Sequence, residues 1–110
     1  MINNEEEEVT ITLNKDLTVN STLIVPEGKT ITLNLEGNNL IAADNDIIPI
    51  YADGGKVILK NGTISATTNA IVVQNNGSLT IDNVEVSSSR SNAIAATNGE
   101  VTLNSGTITS

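Results

Sequence analysis

The sequence predicts an all-β solenoid, a parallel β-helix of about five coils, and three observations carry that reading. First, KVILKNGTI at 56–64, SLTIDNVEV at 78–86 and EVTLNSGTI at 100–108 superimpose at a spacing of 22 residues. Second, apolar and polar residues alternate within each unit: Leu79, Ile81, then Val84 and Val86, with Thr80 and Glu85 between them. Period two is the signature of a strand with one buried face. Third, Gly55, Gly77 and Gly99 stand in register just ahead of the three segments. A unit of that length has room for three short strands and three turns. Stacked coils then form parallel sheets at about 4.8 Å spacing, so five coils make a prism roughly 24 Å long. Each coil buries its inward residues only against its neighbours.

Taken in chain order, residues 1–8 read as an acidic arm, because the four adjacent carboxylates Glu5–Glu8 repel one another. Residues 9–110 form a single domain, with irregular coils over 9–45 and regular 22-residue repeats over 46–110. VTITLN at 9–14 and KTITLN at 29–34 are 20 apart, with LTV at 17–19 and LIV at 23–25 as short strands between them. Pro26-Glu27-Gly28 is a turn, and Pro26 closes a strand where no ladder donor is needed. Gly37-Asn38-Asn39 turns the chain before Leu40-Ile41. A further strand recurs upstream of the repeats, near 48–52, 70–74 and 93–97, and its register is open. Strict 22-spacing aligns Ile50, Val72 and Ile94, whereas the Asn-Ala-Ile triplets at 69–71 and 92–94 are 23 apart. Placing Ile71, Val73, Ile94 and Ala96 inward requires a one-residue change in the turn before Gly99.

LIVPEGKTITLNLEGNNL at 23–40, with GGKVILKNGTI and NGSLTIDNVEV, resembles the right-handed parallel β-helix repeats of the pectate-lyase-like superfamily. The right hand follows from that resemblance and from the strong bias of parallel crossovers. Such repeats occur in bacterial surface proteins, polysaccharide lyases, and phage tailspike and capsid-decorating proteins. The resemblance covers about residues 9–110 and speaks for fold more than for function, since one β-helix hosts many activities.

Composition narrows the chemistry. Five Lys and Arg against 13 Asp and Glu give a net charge of −8, which disfavours nucleic acid and anionic bilayers as partners. No apolar run approaches the roughly 20 residues that span a membrane. Cys, His, Trp and Phe are absent and Tyr51 is the sole aromatic residue. Thiolate and imidazole metal sites and every Ser–His arrangement are therefore excluded.

Lyases of the resembled superfamily hold calcium on acidic residues and use a basic residue as proton acceptor. Asp44, Asp46 and Asp53 are the acidic cluster outside the arm, and Arg90, Lys15, Lys29, Lys56 and Lys60 are the available bases. Asp44-Asn45-Asp46 reads better as a turn than as a calcium loop, which needs six to eight converging oxygens. Glu85 and Glu100 are the pair that adjacent coils would bring together for glycoside hydrolysis, but both occupy outward or turn positions. The expectation is no catalytic, cofactor or metal site; a lyase remnant is the least favoured function. Asn14 with Asn34, Asn61 with Asn83, and Asn76 with Asn98 read as stacked ladders or as left-handed turn residues.

Two functional classes remain. MINNEEEE lacks the cationic and apolar parts of a secretory signal, so with Met1 as the start the protein is made in a host cytoplasm. The favoured expectation is a non-enzymatic virion structural protein, capsid-decorating or head-fibre-like, bound to the major capsid protein or another virion surface. Ile108-Thr109-Ser110 stops inside a strand with no capping helix, which is expected either of an edge covered by another chain or of a fragment. A homotrimer is the simplest closed association, with Ile24, Ile58, Ala66, Val72 and Ala95 as lateral contacts. The alternative is a repeat module of a bacterial cell-surface adhesin or glycan-binding protein, using outward Thr, Ser and Asn rows.

Overall fold

The computed structural model describes residues 8–109. Residues 1–7 of the 1–8 stretch expected to be an acidic arm lie outside the described residues, as does Ser110, while Glu8 belongs to the first strand. Eleven strands are described: β1 Glu8–Thr12, β2 Leu17–Val19, β3 Leu23–Pro26, β4 Thr30–Asn34, β5 Asn39–Ala42, β6 Ile50–Asp53, β7 Lys56–Ala66, β8 Ile71–Gln74, β9 Ser78–Ser88, β10 Ile94–Thr97 and β11 Glu100–Thr109. Every strand-to-strand pairing is parallel. The chain is a parallel β-solenoid of about five coils, as the repeat predicts.

Three ladders run along it. The first stacks β1, β4 and the leading halves of β7, β9 and β11. Glu8, Thr30, Lys56, Ser78 and Glu100 share one column of that ladder, at offsets of 22, 26, 22 and 22 residues. The second stacks β2, β5 and the trailing halves of the same long strands, with Leu17, Leu40, Ile64, Val86 and Ile108 in one column. The third is a separate four-stranded sheet in the order β10-β8-β6-β3.

Inward columns build the core. Leu33, Leu59 and Ile81 lie over one another, as do Val57 and Leu79, and all are buried. Leu40, Ile64 and Val86 fill the second side, and Val25, Ile50, Ala52, Ile71 and Val73 the third. The interior is aliphatic, built from Leu, Ile, Val and Ala alone among the buried hydrophobic residues. In the last coil the same columns continue as Val101, Leu103 and Ile108, which are 37%, 47% and 40% exposed.

Two registers differ from, or resolve, the sequence expectation. VTITLN and KTITLN do not pair at 20: Ile11 lies opposite Leu33 and Thr12 opposite Asn34, an offset of 22. Asn14 and Asn34 are therefore not stacked. A slip of two residues leaves every side chain on its own face, so alternation alone does not separate the two registers. In the third ladder Ile50, Ile71 and Ile94 align, as do Ala52, Val73 and Ala96, which puts Ile71 and Val73 in the core. The one-residue change is present in the turn. Gln74 to Gly77 encloses Asn75 and Asn76, while Thr97 to Gly99 encloses Asn98 alone.

Corners are made by residues that accept left-handed backbone. Asn61 and Asn83 have φ of 61° and 64°, and their side chains also stack. Asn83 Nδ2 donates to Asn61 Oδ1 at 3.1 Å, and Asn61 Nδ2 donates to Asn34 Oδ1 at 3.4 Å. Both readings of these asparagines hold, since the short amide tolerates the conformation and bonds along the stack. At the opposite corner Asn76 N–H donates to the Asn98 carbonyl at 2.7 Å, a backbone contact between two left-handed residues. Asn61→Ala is expected to cost about 1–2 kcal/mol more than Asn61→Gly, because Ala pays the left-handed penalty that Gly avoids. Urea denaturation midpoints of the two variants measure the difference. Equal losses would place the whole effect in the amide ladder.

Candidate functional site

With the core filled, function falls to the outer faces and corners, and each residue singled out in the sequence has a definite place. Asp44 and Asp46 lie on the exposed loop that lengthens the second coil ahead of β6. Asn45 N–H donates to Asp44 Oδ1 at 3.0 Å and Ile47 N–H to the Asp44 carbonyl at 3.4 Å, which is turn geometry. Asp53 ends β6, at the far side of the strand, and accepts a hydrogen bond from Asn75 Nδ2. Among the described residues, no three acidic groups converge as a metal ion would require.

Glu85 and Glu100 are not brought together. Glu85 stands between Thr63 and Thr107 in the second ladder, whereas Glu100 follows Lys56 and Ser78 in the first. A carboxylate pair for glycoside hydrolysis has to flank one bond, and these two decorate different sides of the prism. Lys56 and Lys60 are outward members of the first ladder, and Arg90 is exposed in the turn after β9.

Two outer features stand out among the described residues. On the four-stranded sheet, Ile24, Tyr51, Val72 and Ala95 occupy one outward column, coil upon coil. Ile24 is 57% exposed, and the others are half-buried by their ladder neighbours. The parallel outward column is Pro26, Asp53, Gln74 and Thr97, whose single charge is held by Asn75. The first side differs: its outward columns carry Glu8, Lys56, Glu100, Lys60 and Asp82 around a row of Thr10, Thr32, Ile58, Thr80 and Thr102. Ile58 is thus outward, but flanked by threonines. Ala66 is partly buried and packs against the core.

No protein-family model matches the chain, and neither does any curated protein or solved structure.

The second outer feature is a polar groove along the corner between the first and second ladders. Its lining includes Asn61, Thr63, Asn83, Glu85 and Thr107, with Gly62 and Gly106 beside them. The sequence points to Ile24, Val72 and Ala95 as separate lateral contacts and does not join them with Tyr51 into one column. The Asn-Ala-Ile offset of 23 signals the alignment of Val72 with Ala95, but the offsets of 21 and 27 that add Tyr51 and Ile24 have no such marker.

Proposed function

We infer that the chain is a non-enzymatic structural protein that works through its outer faces. The class it fits best is a small capsid-decorating or head-fibre-like virion protein that docks on a capsid surface and self-associates. The apolar column Ile24, Tyr51, Val72 and Ala95 on an otherwise weakly charged sheet carries this reading. In a chain of net charge −8, that sheet is a face on which like-charged copies approach with little repulsion. Around a three-fold axis, each copy contributes the same face, and the association closes without leaving an open contact. The resemblance of the repeats to the pectate-lyase-like superfamily supports the class, because phage decoration and tailspike proteins share that repeat style.

The decisive experiment is solution mass by light scattering after size exclusion, over a hundredfold concentration range. Wild type is expected to run as a trimer, and Ile24→Lys with Val72→Lys as a monomer with unchanged circular dichroism. A wild-type monomer throughout that range removes self-association from the reading. A trimer that survives both lysines moves the contact to another face.

The corner groove favours a second reading, a glycan-binding module of a bacterial surface protein. Its amides, hydroxyls and one carboxylate are the groups that bind sugar hydroxyls, and they repeat at the coil spacing of about 4.8 Å. Glycan-array binding that is lost on Asn83→Ala and Thr107→Val, in a monomeric protein, would establish it over the first.

A further inference from the structure

The sequence contains three Asn-Gly pairs, Asn61-Gly62, Asn76-Gly77 and Asn98-Gly99. Asn-Gly is the dipeptide in which a backbone nitrogen most readily attacks the preceding side-chain amide, since glycine has no side chain to obstruct the approach. The fold treats the three pairs differently. Asn61 has its amide held on both sides, by Asn34 and by Asn83. Gly77 is buried, and its N–H donates to the Gln74 carbonyl at 3.0 Å. In the last coil the turn is one residue shorter, and that bond has no counterpart. Asn98 and Gly99 are both exposed; among the described residues the Gly99 N–H and the Asn98 side chain have no hydrogen-bond partner. Asn98 is in the left-handed conformation, φ 54°, and its carbonyl accepts a hydrogen bond from Asn76 N–H.

We propose that Asn98 is the site of spontaneous, sequence-encoded deamidation in the folded protein, and that the other two pairs are protected. The Gly99 nitrogen bonds to Asn98 Cγ, and the side-chain nitrogen leaves as ammonia, carrying away the Gly99 amide proton. The product is a five-membered succinimide. Water then breaks one of the two ring C–N bonds. Opening at Cγ gives aspartate, and opening at the backbone carbonyl gives isoaspartate, in which the chain runs through the former side chain. Either product adds one negative charge. The isoaspartate also lengthens the backbone by one carbon at the corner joining β10 to β11, beside the Asn76–Asn98 contact.

The test uses the native chain, incubated folded at mildly alkaline pH and in parallel in urea. Trypsin after Lys60 and Arg90 releases residues 61–90, which hold Asn61 and Asn76, and residues 91–110, which hold Asn98. In the folded sample the mass gained on exchanging NH2 for OH is expected in 91–110 about tenfold faster than in 61–90, the order of factor that one ordinary hydrogen bond supplies. In urea the two peptides should react at similar rates. Fragmentation should place the change at Asn98, and Asn98→Gly, which keeps the left-handed turn, should abolish it. Equal rates in the folded protein, or a gain located at Asn92 or Asn104, would overturn the assignment.

Discussion

Gly55→Ala is expected to destabilise the solenoid by about 3 kcal/mol or more, near the upper end of overpacking costs. A Cβ at this position would lie 2.5 Å from the Pro26 carbonyl oxygen, the Val25 carbonyl oxygen and Val25 Cγ1. Two of those atoms are backbone of the preceding coil, so no rotamer change relieves the contact; the coils themselves have to part. Gly77→Ala is the internal comparison. There the nearest atoms are the Ala52 carbonyl at 2.9 Å, then the Gly55 and Gln74 carbonyls at 3.0 and 3.1 Å. These contacts are longer than those at Gly55 but are also backbone, so a smaller loss of about 1–2 kcal/mol is expected. Small domains have only about 5–15 kcal/mol in total, so urea midpoints should separate the variants clearly. Equal midpoints would show that inter-coil approach does not explain the registered glycines.

Leu59→Ala carries the other large effect, about 2–5 kcal/mol, because it removes a side chain with no exposure and leaves a cavity that its column cannot close. Leu33 and Ile81 sit above and below, tied to separate coils whose spacing the ladder hydrogen bonds hold. Leu103→Ala changes the same residue type at the same column position one coil beyond Ile81. Since Leu103 is 47% exposed, no closed cavity forms and a loss of about 1 kcal/mol is expected. Chemical denaturation of the two variants therefore reads position along the stack rather than side-chain chemistry. A Leu103→Ala loss as large as that of Leu59→Ala would contradict the exposed last coil.

Most of the architecture is readable in the sequence because a coil repeats its own environment. Val57, Leu79 and Val101 share one column, so three independent strands report the same inward-facing position. Where repetition is imperfect, legibility drops for identifiable reasons. The 20-residue similarity of VTITLN and KTITLN conceals a 22-residue pairing, because a shift by two conserves facing and only hydrogen-bond partners tell the registers apart. The loop that carries Asp44 and Asp46 stretches the second coil, separating Thr30 from Lys56 by 26 residues, and no periodic signal announces an insertion. For the functional surface, exposure is set by what lies alongside. Ile24 and Ile58 look alike in sequence, yet one heads an apolar column and the other interrupts a row of threonines. Ala66 follows the outward Ser65 and turns back to the core, where its small side chain gives no sign of facing.

The ladder offsets have a kinetic consequence. Every rung joins residues 21 to 27 apart, so no strand finds its partner within its own neighbourhood of the chain. A first pair of coils has to close three such loops before any aliphatic column is covered, and the entropy lost precedes the burial that repays it. Once two coils have met, each further coil adds to a finished template, and growth can run toward either end. The long strands β7 and β9 lie side by side at the centre with no insertion between them. They are the natural starting pair, and the first and last coils are then the final ones to dock and the first to come away.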